Sequence, residues 1–121
     1  MDDQETLASL QRRVIKFRDE RAWEPFHTPK NLAAALAIEA GELQELFLWK
    51  DDPEILDLLT TQAFASRVQD ELADILIFLL YLAEATGCDL SEALKAKLIK
   101  NQAKYPVSKS FGSNKKYTEL E

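Results

Sequence analysis

Cysteine occurs once in this chain, at Cys88, and histidine once, at His27. A lone cysteine excludes an internal disulfide framework and fits a reducing compartment. A single histidine excludes, within one chain, the two Glu-x-x-His motifs of ferritin-like di-iron bundles. Three glycines and four prolines leave few turns. No alternating Val/Ile/Thr-rich run is present, so strands are not expected. The longest apolar run, Ile75–Ala83, is nine residues, too short to span a bilayer. The acidic start, Met1-Asp2-Asp3-Gln4-Glu5, is unlike a signal or transit peptide. Basic residues number 15 against 21 acidic, a net charge of −6. That balance argues against a nucleic-acid polymer as partner, since such binders show a basic face. A single nucleotide is still admissible where metal ions screen its phosphates. These absences point to a cytoplasmic protein with no membrane attachment.

What is present is helix. Of the 121 residues, 46% are hydrophobic, enough for one core. Leu7, Leu10, Val14 and Phe17 recur at helical spacing between Thr6 and Glu20. The segment 23–29 holds two prolines and reads as a structured loop. Asn31 is expected to cap a second helix reaching Trp49, and Asp51-Asp52-Pro53 to end it. Residues 54–61 read as a short helix or helical loop. A third long helix spans 63–86 and stops at Gly87. Asp89 with Glu92 resembles a capping box and opens a fourth helix reaching Lys104. The fold class is therefore all-α, a bundle of four main helices over residues 1–107, with an unstructured tail over 108–121. The apolar run Ile75–Ala83 exceeds what one small bundle covers, which points to a homodimer or homotetramer.

Two acid pairs interrupt the apolar helices: Glu39-Ala-Gly-Glu42 and Glu71-Leu-Ala-Asp74. Three residues turn about 300° around a helix, so each pair shares a face. No Lys or Arg follows any of the four at i+3 or i+4, and Arg67 precedes Glu71 in the less favourable order. Such acids are either solvated surface groups, the contacts of a basic partner, or ligands of a cation that offsets their desolvation. Oxygen-only donors suit Mg²⁺, Mn²⁺ or Ca²⁺ rather than Zn²⁺.

Trp23, Phe26, His27 and Trp49 stand near helix ends. They read either as packing residues or as a wall for a nucleobase; for His27 alone, packing is the more ordinary role. Lys97, Lys100 and Lys104, with Asn101 among them, make a basic helix end. It either offsets the helix dipole or meets phosphates.

The ordered series Phe17-Arg18-Asp19-Glu20-Arg21-Ala22-Trp23-Glu24-Pro25-Phe26-His27, Pro29-Lys30-Asn31-Leu32, Glu39-x-x-Glu42 through Trp49-Lys50, Glu71-x-x-Asp74, and Asn101 with Tyr105-Pro106 resembles the all-α nucleoside triphosphate pyrophosphohydrolases. These form the MazG-like superfamily, and the resemblance leans towards its dCTP pyrophosphatase branch. It implies Mg²⁺-dependent hydrolysis (Mn²⁺ being the alternative ion) of a nucleoside triphosphate to monophosphate and pyrophosphate. It assigns Glu39, Glu42, Glu71 and Asp74 to the metal and to catalysis. It assigns Trp23, Phe26, His27 and Trp49 to the nucleoside, Lys97 and Asn101 to phosphates, and sites to the neighbourhood of subunit interfaces. The branch carries a His where Val14 stands, and a Tyr at the nucleoside where Phe78 stands. Both departures fall on the choice of base and sugar. The alternatives are dUTP or another related substrate, and a non-catalytic metal- or nucleotide-binding oligomerisation module.

Overall fold

The structure is a computed structural model describing residues 4–120; Met1, Asp2, Asp3 and Glu121 lie outside the described residues, so the acidic start is described only from Gln4 onwards. Six α-helices follow one another: α1 (Leu7–Glu20), α2 (Pro29–Glu45), α3 (Asp52–Leu59), α4 (Gln62–Thr86), α5 (Leu90–Lys104) and α6 (Val107–Ser110). Single 3₁₀ turns occupy Glu24–Phe26 and Tyr117–Glu119. No strand occurs among the described residues, as the sequence predicts. The chain divides into two compact units, Met1–Cys88 and Asp89–Glu121.

Capping side chains set most helix starts. Thr6, Thr28, Asp51, Thr61 and Asp89 each accept a backbone N–H from the residue three positions on, satisfying one of the orphan donors of a first turn. Asn31 is not the cap of α2. Pro29, pre-set in φ and lacking an N–H, takes the first helical position, and Thr28 caps it. The Asn31 amide instead donates to the Phe26 carbonyl at 3.1 Å, tying the aromatic loop to α2. Asp51 opens α3 rather than closing α2, so residues 54–61 are largely helical. Gly87, in the left-handed region at φ 68°, terminates α4.

Within the first unit α4 is the shared partner of α1, α2 and α3. Three ties run between α1 and α4. Gln11 Nε2 donates to the Leu80 carbonyl at 3.0 Å. Tyr81 Oη donates to the Val14 carbonyl at 2.7 Å. Arg18 Nη1 reaches Glu84 Oε2 at 3.0 Å. Residue numbers rise together in these pairs, so the two helices run parallel. Against α2 the order reverses: Phe47 meets Phe64 edge-on at 6.0 Å between ring centroids, while Glu39 lies with Glu71. The core between the helices is Leu32, Leu46, Phe64, Leu80, Tyr81 and Ala83. Arg18 is buried with it, its charge shared by Asp19 and Glu84. Within the apolar run Leu80, Tyr81 and Ala83 are buried while Leu76 and Leu79 stay exposed, and Ile38 and Leu72 outside it are exposed too.

The tail is more ordered than the sequence suggests. In the second unit Tyr117 packs edge-on against Tyr105, with ring centroids 6.2 Å apart. Lys104 Nζ sits 4.8 Å above the Tyr117 ring. These contacts give the polar tail an aromatic anchor, and α6 and the 3₁₀ turn form beside segments that stay irregular.

Candidate active site: a carboxylate cluster beside an aromatic cavity

Antiparallel packing of α2 on α4 brings the two acid pairs to one level. Carboxylate oxygens of Glu39, Glu42 and Glu71 all lie within 4.8 Å of one another. Glu42 is exposed, whereas Glu39 and Glu71 are half-buried. Glu39 Oε2 and Glu71 Oε2 are both out of water and have no hydrogen-bond partner. Burial pushes the Glu39 carboxyl up to about 7; its contacts with the Glu71 and Glu42 carboxyls and the charges of Glu42 and Asp74 push the same way. Unpartnered, buried and mutually repelling acid oxygens are costly. The arrangement fits a divalent cation, which would supply the missing charge and the missing partners at once. Asp74 is not one of the three clustered groups. Its charge bears on Glu39, and its side chain lines the adjoining cavity.

That cavity has a volume of about 660 Å³ and lies between α1, α4 and the loop joining α1 to α2, within the size range of small-molecule sites. One face of α1 contributes Leu10, Arg13, Val14 and Phe17. The loop contributes Trp23 and His27, and α4 contributes Asp74, Ile77, Phe78 and Tyr81. Phe17 and Trp23 meet edge-on at 5.8 Å, and Arg21 lies 3.6 Å over the Phe17 ring on its other contact. His27 leans on Tyr81 with centroids 4.6 Å apart. Burial, followed by the Arg18 charge, lowers its pKa, so it is a neutral imidazole at pH 7. Its Nδ1 is buried without a partner.

Of the residues expected at a nucleoside, Trp23, His27 and Phe78 line the cavity. Phe26 and Trp49 do not, being 68% and 93% exposed. Trp49 follows α2 in the left-handed region, at φ 63°, a conformation disfavoured for a side chain of its size. Lys97 and Asn101 stand one turn apart on α5 of the second unit, Lys97 exposed and Asn101 half-buried; phosphate contact remains an expectation of the resemblance for both. Sequence reasoning missed Leu10, Arg13, Phe17, Ile77 and Tyr81. The i, i+3, i+4, i+7 spacing of Leu10, Arg13, Val14 and Phe17 held the signal, but it reads equally as core.

The profile of the MazG-like family matches residues 34–120 of this chain. The dCTP pyrophosphatase 1 of Bos taurus is 44% identical over 115 residues, covering 95% of this chain and 68% of its own length. That of Homo sapiens is 42% identical over the same spans. Among solved structures, a pyrophosphatase from Archaeoglobus fulgidus superposes with a TM-score of 0.77 at 38% identity, covering 85% of this chain and 94% of its own.

Proposed function

The chain belongs to the MazG-like family, and from that premise we propose that it hydrolyses deoxynucleoside triphosphates, dCTP or a modified dCTP foremost, to the monophosphate and pyrophosphate, in a Mg²⁺-dependent reaction. The observation that carries the reading is the carboxylate cluster with two orphaned, buried oxygens, joined through Asp74 to a cavity walled by flat side chains. The names of the relatives, dCTP pyrophosphatase 1, supply the substrate.

In this reaction a water oxygen bonds to the α-phosphorus while the water gives up one proton to the surrounding solvent. The bond from that phosphorus to the oxygen bridging it to the β-phosphorus breaks, and the electron pair leaves with pyrophosphate. Glu39, Glu42 and Glu71, with Asp74, would hold the cation. A divalent ion there supplies Lewis-acid neutralisation of phosphate oxygens and of the departing charge. Asp74 belongs to both halves of the site, so it sets the step from the base end to the phosphate end. Trp23, Phe17 and Phe78 offer the base aromatic surface, and stacking of this kind contributes about 1–3 kcal/mol per base. Val14 and Ile77 exclude water beside it. His27, kept neutral, brings no charge to the base. The ties of Gln11, Tyr81 and Arg18 hold α1 against α4 and so keep the cavity wall in register with the acids.

The protein acts as a homodimer or homotetramer in this reading. Ile38 on α2 and Leu72, Leu76 and Leu79 on α4 are 37–62% exposed, and a second copy would cover them. No helix among the described residues is long and apolar enough to cross a membrane. The free, exposed Cys88 fits a reducing cytoplasm.

The test is pyrophosphate release from the eight common ribo- and deoxyribonucleoside triphosphates, with and without Mg²⁺, on a preparation whose mass is measured by sedimentation. The expected result is Mg²⁺-dependent release, fastest with dCTP, from an oligomer. No release with any nucleotide removes the activity; a monomer at all concentrations removes the assembly.

A further inference from the structure

We propose that Arg13 is the residue that selects the base, and that it selects cytosine over uracil and thymine by presenting its guanidinium to the adjacent N3 and O2 acceptors of cytosine. The inference rests on the reading of the cavity as the nucleoside end of a pyrophosphohydrolase site.

The polar inventory of the cavity leads to Arg13. Five of its lining side chains carry polar atoms: Arg13, Trp23, His27, Asp74 and Tyr81; the Trp23 indole offers a single N–H, too few for a paired contact. Tyr81 Oη spends its proton on the Val14 carbonyl. Asp74 is at the acid end, where its charge bears on Glu39. His27 leans on Tyr81 with the two rings tilted at 58°, and its Nδ1 is shut off from water. Arg13 brings five N–H donors. Its one side-chain partner among the described residues is Glu5, whose Oε1 takes a single bond from Nη1 at 3.0 Å. No other side-chain partner of the guanidinium occurs among the described residues, and the Arg13 side chain is 71% exposed. Among the described residues it is also the cavity's only cationic side chain.

Its backbone is fixed where it matters. The Gln11 bond to Leu80 lies two residues before it and the Tyr81 bond to Val14 one residue after. The turn carrying Arg13 is thus pinned to α4 on both sides, and Glu5, which does not line the cavity, holds Nη1 at 3.0 Å. The side chain can reorient, while its point of attachment cannot.

The chemistry then discriminates. The remaining wall is Leu10, Val14, Phe17, Ile77, Phe78 and the ring face of Trp23, which a cytosine and a uracil contact alike. An apolar wall does not reject an isostere strongly, whereas a committed hydrogen-bonding group does. Cytosine offers two neighbouring acceptors, N3 and O2, to a two-pronged donor. Uracil and thymine carry N3–H in that position, so donor would face donor. A planar fork reads this difference; a lysine point charge does not. A triphosphate contact by Arg13 would, in contrast, serve every nucleotide equally.

Steady-state hydrolysis of dCTP, dUTP and dTTP by wild type, Arg13→Ala, Arg13→Lys and Glu5→Gln tests this, with calorimetric binding of dCMP and dUMP beside it. Arg13→Ala is expected to lower kcat/KM for dCTP roughly 10- to 100-fold, the worth of one bidentate base contact, chiefly through KM. The values for dUTP and dTTP are expected to change less than about threefold. Arg13→Lys is expected to lose the same discrimination, and Glu5→Gln to keep it. A dCTP-to-dUTP ratio unchanged in Arg13→Ala, or an equal fall for all three nucleotides, overturns the assignment. Binding separates it from the activity itself. A wild type that prefers dCMP, loses that preference in Arg13→Ala, and releases no pyrophosphate supports the base contact and removes the hydrolysis. A wild type that releases pyrophosphate with no change of ratio in Arg13→Ala does the reverse.

Discussion

Glu71→Gln is expected to reduce kcat for dCTP by at least about 10³-fold, equivalent to roughly 4 kcal/mol of transition-state stabilisation. Gln is close in size to Glu but carries no charge. Glu71 belongs to the three-carboxylate cluster and has one oxygen buried without a partner, so the change removes a ligand charge and little packing. Stability is expected to hold or to rise. Three acids within 4.8 Å repel one another, and burial together with that crowding already pushes Glu39 up to about 7. Replacing one of them relieves part of that cost. Affinity for dCMP should change little, because Glu71 does not line the aromatic cavity proposed to take the base. Steady-state kinetics with a thermal melt of the same sample check all three points. A Glu71→Gln protein with wild-type turnover would sink the assignment of the cluster to catalysis.

Leu32→Ala is expected to cost about 2–5 kcal/mol, the range for emptying a fully packed leucine site. Leu32 is 2% exposed and sits in the first turn of α2, with its N–H bonded to the Thr28 carbonyl at 2.9 Å. The α2 backbone is held there by the Thr28 cap, so the site cannot readily collapse. For a chain of this size the loss lowers Tm by on the order of 10 °C. Because α2 also carries Glu39 and Glu42, the variant should lose activity at temperatures where α2 begins to loosen. At low temperature it should retain most of it. Urea unfolding monitored by circular dichroism measures the cost; a midpoint equal to wild type would show that Leu32 is not part of the core.

The sequence announced the helices through their caps and breakers, and where it misled the cause is local. Asn31 is a good capping residue, but Thr28-Pro29 offers both a cap and a pre-set first position three residues earlier. The end of α2 was harder to place. The chain turns from Leu46 to Trp49 with no Gly or Pro to mark it, and Trp49 itself takes the left-handed conformation. The tail looked polar and irregular because its anchor is a tertiary contact, Tyr117 on Tyr105, which no local pattern encodes. The carboxylate pairs were legible because i, i+3 spacing is a property of one helix. That three of the four acids converge while Asp74 turns towards the cavity depends on how α2 crosses α4. Arg13 was invisible for the same reason. Along α1 it is one of several basic residues, and only the position of α4 and the loop makes it a wall of the cavity.

The clustered acids are expected to hold a divalent cation in the absence of nucleotide. Mn²⁺ binding measured by electron paramagnetic resonance, for wild type and Glu71→Gln without nucleotide, addresses this directly. The expected result is saturable binding by wild type that weakens at least about tenfold on loss of one ligand charge. Equal affinity in the two proteins, or no binding by wild type, would contradict it.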